Sequence, residues 1–441
     1  MSNTKQSGNI VAIITMMFLF AMISFVTNLA APMGTIWGNH YSWAGMMGNM
    51  MNFLAYLFMG IPAGNMLVKI GYKKTALTAL IVGLVGIFVQ FLSSKVGSDV
   101  TAFAVSGEEV KLDFVIYLLG AFICGFCVCM LNTVVNPMLN LLGGGGNRGN
   151  QLIQTGGTLN SLAGTLTPLF VGALIGTVSK DTSMANVAPL LYIAMGVFAA
   201  SFLILLFVNI NEPAQASKEN VVMEHSPLAF RHCVLGIVGI FFYVGIEIGI
   251  PSQINFFLAN PVSDGGLGLA NGAAIGGAIA AVYWLLMLVG RFASSLISGK
   301  VSTRSQLIIT SAVAILLLVV AIVLPAENTI SMPGYSVTDG FTMFTVPAKC
   351  LFIVLCGLCT SVMWGGIFNL AVEGLGKYVP AASGLFMTMV VGGGVMPLLQ
   401  NLLAKEIGYI NSYVLIIAML AYLLYYALIG CKNVNRDIPV D

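Results

Sequence analysis

The chain has 441 residues, of which 58% are hydrophobic and 8% charged, with a formal net charge of +2. Soluble domains carry about 25% charged residues, and the mean hydropathy here is +0.96. This composition excludes a water-soluble enzyme, a nucleic-acid-binding protein and a disordered scaffold, and it predicts a polytopic membrane protein.

Long apolar stretches run through the whole chain. A helix that crosses about 30 Å of hydrocarbon needs about 20 apolar residues. By that criterion the sequence predicts twelve membrane-spanning helices, at residues 10–31, 46–67, 75–94, 114–140, 152–177, 187–209, 233–257, 268–297, 306–324, 349–372, 381–403 and 409–430. The two-residue alternation typical of membrane β-strands is not seen. We therefore predict an all-α integral membrane fold.

The basic residues are distributed unevenly between the predicted loops. If the N terminus lies inside, only five of the 18 basic residues fall on the outer side: Lys95, Lys111, Lys180, Lys349 and Lys405. Cytoplasmic loops carry the excess of Lys and Arg, and an even number of spans returns the C terminus to the starting side. We therefore predict that both termini are cytoplasmic and that the longer loops near 95–113 and 325–348 are outside.

A polar segment near the middle of the chain separates two sets of six spans. It has the Glu, Lys, Ser and Pro content of a linker. We predict an N-terminal six-helix bundle at 1–210, a cytoplasmic linker at 211–231 and a C-terminal six-helix bundle at 232–441. The loop GNMLVKIGYKK at 64–74 has a counterpart in GRFASSLISGKVSTR at 290–304. Such pseudo-symmetric halves are typical of transporters, which bind their substrate near the membrane midplane between them.

Five motifs, spread over both halves, carry a family resemblance: IPAGNMLVKIGYKK at 61–74, LNTVVNPMLNLLG at 131–143, TLNSLAG at 158–164, FYVGIEIG at 242–249 and GGGVMP at 392–397. In them the chain resembles the fucose–galactose–glucose symporters of the major facilitator superfamily. The resemblance implies the major facilitator fold and the import of a monosaccharide across a bacterial inner membrane by alternating access, with a proton or sodium ion. It also implies a gating role for the loop motif and its second-half counterpart, at Gly64, Lys69, Gly71, Lys73, Lys74 and Arg291.

Two positions depart from the pattern of that subfamily. Its proton-coupled members have an acid late in the first span and another in the fourth span, just before an Asn-Pro pair. The corresponding residues here are Asn28 and Asn132. Because an amide cannot ionise, a proton relay through these two positions is not available.

Glu247 is the one acidic residue, of 16 in the chain, that falls inside a predicted span. A charge at the bilayer centre costs at least about 2.5–3.5 kcal/mol on insertion scales, so it is seldom kept without a role. We predict that Glu247 couples transport to a cation or binds the sugar. The alternative is a protonated or hydrogen-bonded side chain that joins the seventh span to a neighbour.

Amides and aromatic rings inside the spans are the predicted substrate-binding groups. An amide both donates and accepts, as a sugar hydroxyl does, and an aromatic face stacks on the apolar face of a pyranose. These residues are Asn28, Asn132, Asn136, Gln154, Asn160, Tyr243, Gln253, Asn255, Trp284, Trp364 and Asn369. Each amide could equally form a hydrogen bond between helices, and each ring could simply pack against its neighbours.

Other classes of function remain as alternatives. An integral-membrane enzyme would need a nucleophile, a base or a metal cluster near one interface, and the sequence offers none. An uncoupled sugar facilitator and a carrier of a non-sugar solute both stay open. We expect no cofactor or metal beyond a co-transported ion, no nucleic-acid partner, a lipid bilayer as surroundings and a monomeric chain.

Overall fold

Helices dominate the chain, as the apolar stretches predict. The structure is a computed structural model that describes residues 2–41, 44, 47–105, 107–175, 183–210, 224–260, 262, 265–269, 272–336, 340–435 and 437–440. Its α-helices are α1 (Ser2–His40), α2 (Met47–Ser93), α3 (Leu112–Leu142), α4 (Gly146–Ile175), α5 (Met184–Phe207), α6 (Arg231–Ala259), α7 (Gly272–Ile297), α8 (Thr303–Val323), α9 (Lys349–Thr360), α10 (Met363–Val372), α11 (Val379–Thr388), α12 (Gly392–Ile407) and α13 (Tyr413–Tyr425).

Each of the twelve predicted spans falls on helix, with ends that shift by a few residues. In the described part of the chain, ten helical stretches are long and apolar enough to cross a membrane. One of these, α2, contains two predicted spans, and others are built from paired shorter helices such as α9 with α10. The predicted all-α transmembrane fold is confirmed.

The second and third spans join at a glycine without a loop. Gly71 has φ 81° and ψ 177° inside the 47-residue helix α2. This conformation is open to glycine because it has no Cβ. The predicted motif glycine therefore marks the kink at which the chain turns from one span into the next.

The chain forms two compact units. The first comprises Met1–Leu142, Leu159–Glu224 and Gly376–Thr388, and the second comprises Gly143–Thr158, His225–Leu375 and Met389–Asp441. In the first, α2 packs against α3, α5 and α11; in the second, α6 packs against α7, α10 and α12. The predicted bundles at 1–210 and 232–441 remain a prediction, because each unit also draws a short segment from the other half of the chain. Most of the predicted linker, residues 211–223, lies outside the described residues.

The repeated loops make equivalent contacts in their own units. After the kink of α2, the Lys73 ammonium donates to the carbonyl oxygens of Leu206 at 3.0 Å and Val208 at 2.8 Å, where α5 ends. At the start of α8, Arg304 donates to the carbonyl oxygens of Ala427 at 2.8 Å and Leu428 at 2.6 Å. These carbonyls belong to the π-helical turn Tyr426–Gly430 that ends the last helix. In both places a cation satisfies carbonyls at a helix C terminus.

Two β-hairpins lie in segments that the sequence marked only as long outer loops. Strand β1 (Thr101–Val105) pairs with β2 (Glu108–Lys111), and β3 (Thr329–Ser336) pairs with β4 (Gly340–Pro347), both antiparallel. In the first hairpin Lys111 Nζ donates to Glu109 Oε2 at 2.7 Å. This bond lowers the pKa of the exposed Glu109 carboxyl. The hairpins fold outside the spans and leave the helical prediction intact.

Candidate functional site

A buried ion pair lies between two helices of the second unit. Arg291 on α7 donates through Nη2 to Glu247 Oε1 on α6 at 3.0 Å, and the two side chains are 13% and 15% exposed. Among the described residues there is one other ion pair, on the exposed hairpin. A buried charge is costly unless it is paired and hydrogen-bonded. The two charges therefore compensate each other within the spans, and the site carries no net charge from them.

The sequence predicted a role for each member of this pair but not the pairing. The sequence predicts that Glu247 couples transport to a cation or binds the sugar, and that Arg291 belongs to the second-half counterpart of the gating motif. The structure places Arg291 within α7, which continues to Ile297. Because Glu247 is the predicted intramembrane acid, an arginine within a neighbouring span was a usable signal for its partner.

Aromatic side chains lie near the pair. Tyr243 precedes Glu247 by one helical turn, is fully buried, and places its hydroxyl beside both charged groups. Its ring centroid lies 6.1 Å from that of Trp364 on α10. Tyr283 on α7, which the sequence analysis missed, has its hydroxyl 2.9 Å from Thr360 Oγ1. Tyr283 precedes Arg291 by eight residues, so it lies on a similar face of α7, and that spacing could have identified it.

The first part of α4 brings an amide close to α10. Gln154 Nε2 donates to the carbonyl oxygen of Val362 at 3.0 Å, and Gln154 is 2% exposed. A Cβ at Gly157 would lie 3.4 Å from Arg291 Cδ. Gln154 and Gly157 are three residues apart on α4, so they lie on the same face of the helix. The second unit thus gathers Gln154, Tyr243, Glu247, Arg291 and Trp364 into one region of polar and aromatic groups.

The amides of the first unit form a separate set. Asn132 Nδ2 donates to the Tyr56 hydroxyl at 2.8 Å, and Asn136 Nδ2 donates to the carbonyl oxygen of Asn132 at 2.9 Å. Asn28 Nδ2 donates to the carbonyl oxygen of Ser24 at 2.8 Å, and Asn160 Nδ2 to that of Phe20 at 2.8 Å. Asn132 and Asn160 therefore join helices through their donor groups, which is the structural role that the sequence left open.

The remaining predicted substrate residues of the second unit have other surroundings. Gln253 is fully buried, and its amide atoms find no hydrogen-bond partner among the described residues. Asn255 packs against Gly276 on α7, and Trp284 is 40% exposed. Asn369 donates through Nδ2 to Thr303 Oγ1 at 3.1 Å, near the start of α8.

The residues of the predicted gating motif have different surroundings. Gly64 lies against Gly384 of α11, so that a Cβ on Gly64 would be 2.8 Å from Gly384 Cα. Gly71 forms the kink of α2, and Lys73 caps α5. Lys69 and Lys74 are exposed.

The fold and the buried site define a class of membrane transporter. A family model of the Major Facilitator Superfamily matches residues 11–396, so the chain belongs to that superfamily and is a transporter rather than an enzyme. The superfamily and the twelve-helix fold predicted from the sequence are thereby confirmed.

Individual relatives match nearly the full length of the chain. A glucose/galactose transporter of Brucella abortus biovar 1 (strain 9-941) is 28% identical over 98% of this chain and 96% of its own. A putative glucose/galactose transporter of Helicobacter pylori (strain ATCC 700392 / 26695) is 24% identical over 98% of both chains. The crystal structure of the E. coli fucose:proton symporter FucP is similar with a TM-score of 0.74 at 16% identity, over 96% of this chain and 100% of that one. This last similarity shows the fold.

Proposed function

We propose that this protein imports a monosaccharide, of the fucose, glucose or galactose kind, by alternating access and in symport with a cation. The relatives that match the full chain are named for glucose and galactose, and the FucP structure for fucose. The observation that carries the proposal is the Glu247–Arg291 pair with Tyr243 and Trp364 beside it. A neutral polyol is the solute that suits such a site.

The electrostatics of the pair favour a neutral substrate. A solute with a fixed charge would be best bound by an uncompensated opposite charge, but Glu247 and Arg291 neutralise each other at 3.0 Å. Their remaining donors and acceptors can still bond to hydroxyl groups. The aromatic rings supply the apolar faces on which a pyranose stacks. This argument weighs against the alternative of a charged non-sugar substrate.

Coupling is assigned to Glu247. Asn28 and Asn132 stand where proton-coupled relatives have acids, and in this structure both amides donate to neighbouring groups. Glu247 is the carboxylate that lies mid-way along a described membrane helix. A proton or a sodium ion that binds Glu247 competes with Arg291 for the same oxygens. Binding of the cation therefore weakens the tie between α6 and α7.

The test is uptake of a radiolabelled monosaccharide panel into proteoliposomes under an imposed proton or sodium gradient. Wild type is compared with Glu247→Gln and with Glu109→Gln, which removes the same charge from the exposed hairpin. We expect a gradient to drive accumulation above equilibrium in wild type and Glu109→Gln, whereas Glu247→Gln permits equilibration only. A monodisperse profile in detergent confirms that each variant is folded.

Two results would revise the proposal in different ways. Uptake that stops at equilibrium under every gradient, alike in all variants, establishes an uncoupled facilitator. The absence of uptake for every sugar under every gradient removes the monosaccharide assignment and leaves a carrier of another solute.

The surroundings of the protein are part of the proposal. The excess of basic residues on one side supports an orientation with both termini in the cytoplasm. The bacterial relatives support a bacterial inner membrane as the location. We propose that the chain acts there as a monomer.

A further inference from the structure

A polar cavity lies in the second unit, where α4 and α8 begin and the chain leaves its last helix. Its volume is about 570 Å³, within the range of small-molecule sites. Its lining includes two cations, Arg304 and Lys432, and one carboxylate, Glu373. By the distribution of basic residues it faces the side predicted to be cytoplasmic.

Neither cation is neutralised by a carboxylate. Within the described residues neither Arg304 nor Lys432 has a carboxylate oxygen within 4.0 Å. Arg304 is held by its bonds to the carbonyl oxygens of Ala427 and Leu428, which fix its guanidinium at the cavity wall. Lys432 is exposed and can move towards a bound group.

Neutral polar groups complete the wall of the cavity. Asn369 and Thr303 are 2% and 3% exposed, line the cavity and are joined at 3.1 Å. Asn147 accepts from the backbone N–H of Thr303 at 3.4 Å, which ties the start of α4 to the start of α8. The first turns of these two long helices add partial positive charge to that of the side chains. Cys431 also lines the cavity, and burial raises the pKa of its thiol, so it adds no negative charge.

We propose that this cavity binds a phosphate group, held between Arg304 and Lys432. Together with Glu373, the charged side chains of the lining sum to one net positive charge, which suits a single phosphate rather than a polyanion. An arginine whose guanidinium is already oriented and an exposed lysine in the same lining are favourable groups for phosphate oxygens. The same chemistry is offered by inorganic phosphate and by a phospholipid headgroup.

The experiment measures thermal unfolding of the full chain, purified in a neutral detergent without a sugar headgroup and without lipid. Sodium phosphate is titrated against sodium chloride of equal ionic strength, since a ligand that binds the folded state raises the unfolding midpoint. Wild type is compared with Lys432→Gln and with Lys300→Gln, which removes the same charge from an exposed residue outside the cavity lining. A parallel arm uses dihexanoyl phosphatidic acid and, as its control, dihexanoylglycerol.

We expect phosphate, and not chloride, to raise the midpoint of wild type and Lys300→Gln. Loss of one charge-assisted bond should increase the phosphate concentration needed by Lys432→Gln by about tenfold or more. A response to phosphatidic acid alone, with the same dependence on Lys432, identifies a lipid headgroup as the source. The proposal is overturned if chloride acts as well as phosphate, if Lys432→Gln responds like Lys300→Gln, or if neither phosphate compound raises the midpoint. None of these unfolding measurements depends on sugar transport.

Discussion

Glu247 and Arg291 place two opposite charges on neighbouring helices of the second unit, each largely shielded from solvent. Their attraction offsets a desolvation cost of several kcal/mol per ion. The balance is lost as soon as one charge is removed, because the other stays buried without a partner. The proposed coupling and the stability of the fold therefore depend on the same pair, and experiments must separate them.

A double-mutant comparison measures the contribution of the pair to stability, and the uptake assay above tests coupling. Glu247→Gln or Arg291→Gln alone should lower the free energy of unfolding by about 3–5 kcal/mol, since each leaves an uncompensated buried charge. The double variant, which removes both charges, should recover most of this loss. Thermal unfolding in detergent measures all four proteins. A double variant as unstable as the sum of the two single variants would show that the charges do not compensate each other.

At the scale of single residues, the sequence identifies candidate functional residues better than it identifies the side chains that bond to them. Glu247 can be identified from the sequence because it is a carboxylate within an apolar stretch of predicted helix. Its bond to Arg291 depends on the rotation of α6 and α7 about their axes, which hydropathy alone leaves undetermined. The partner of Asn369 is likewise not predictable from the sequence. The residue is predicted to bind the sugar, and in the structure it also donates to Thr303 beside the polar cavity.

At the scale of elements, α2 and α11 of the first unit approach each other through glycine. The backbone at Gly384 would lie 2.8 Å from a Cβ on Gly64. Small residues let the backbones of membrane helices come this close. Gly64, which is predicted to have a gating role, is therefore also a packing residue between α2 and α11.

Gly64→Ala should therefore destabilise the protein by about 1–3 kcal/mol, because backbone atoms cannot yield as a flexible side chain can. Gly196 on α5 is the matched control, since a Cβ there meets nothing within 4 Å. Gly196→Ala should be neutral or stabilising by about 0.5–1 kcal/mol, from its better helix propensity. Unfolding midpoints of the two variants in the same detergent measure the difference. Equal midpoints would show that α2 and α11 can separate at no cost.

The helix caps give a second prediction at this scale. Lys73→Gln removes a cation from the carbonyls that end α5, and Arg304→Gln does the same at the π-helical turn after α13. A cation at a helix C terminus contributes about 0.3–1 kcal/mol to stability, and up to about 2 kcal/mol when it is partly buried. Hydrogen–deuterium exchange should therefore accelerate at 204–208 in the first variant and at 427–431 in the second. Lys74→Gln, an exposed neighbour, is the control, and unchanged exchange in the capping variants would contradict the assignment.

The sequence predicts the helices well and their junctions less well. An apolar run of span length can only be satisfied in a membrane as a helix, because every backbone group must be bonded internally. The hairpin strands have no such constraint. All residues of β1 are exposed, so the strand has no alternation of buried and exposed side chains by which the sequence could identify it. The kink at Gly71 lies within the predicted loop motif, but its sharpness depends on a backbone angle that hydropathy does not encode.

For the whole molecule, the distribution of basic residues is the argument for orientation. It predicts that the hairpin β3–β4 lies outside and that the turn between α7 and α8, where Lys300 is exposed, lies inside. The eight cysteines of the chain are all free and buried. Buried thiols react slowly, so a cysteine introduced at an exposed position can be labelled against a low background.

We predict that a membrane-impermeant maleimide labels Ser331→Cys on β3 in intact spheroplasts, whereas Lys300→Cys is labelled only after permeabilisation. Both native residues are exposed, so accessibility in the fold is matched and the membrane alone separates them. The unmodified chain should stay unlabelled in both conditions because its cysteines are buried. The reverse pattern would place the termini outside and would move the phosphate-binding cavity to the outer face.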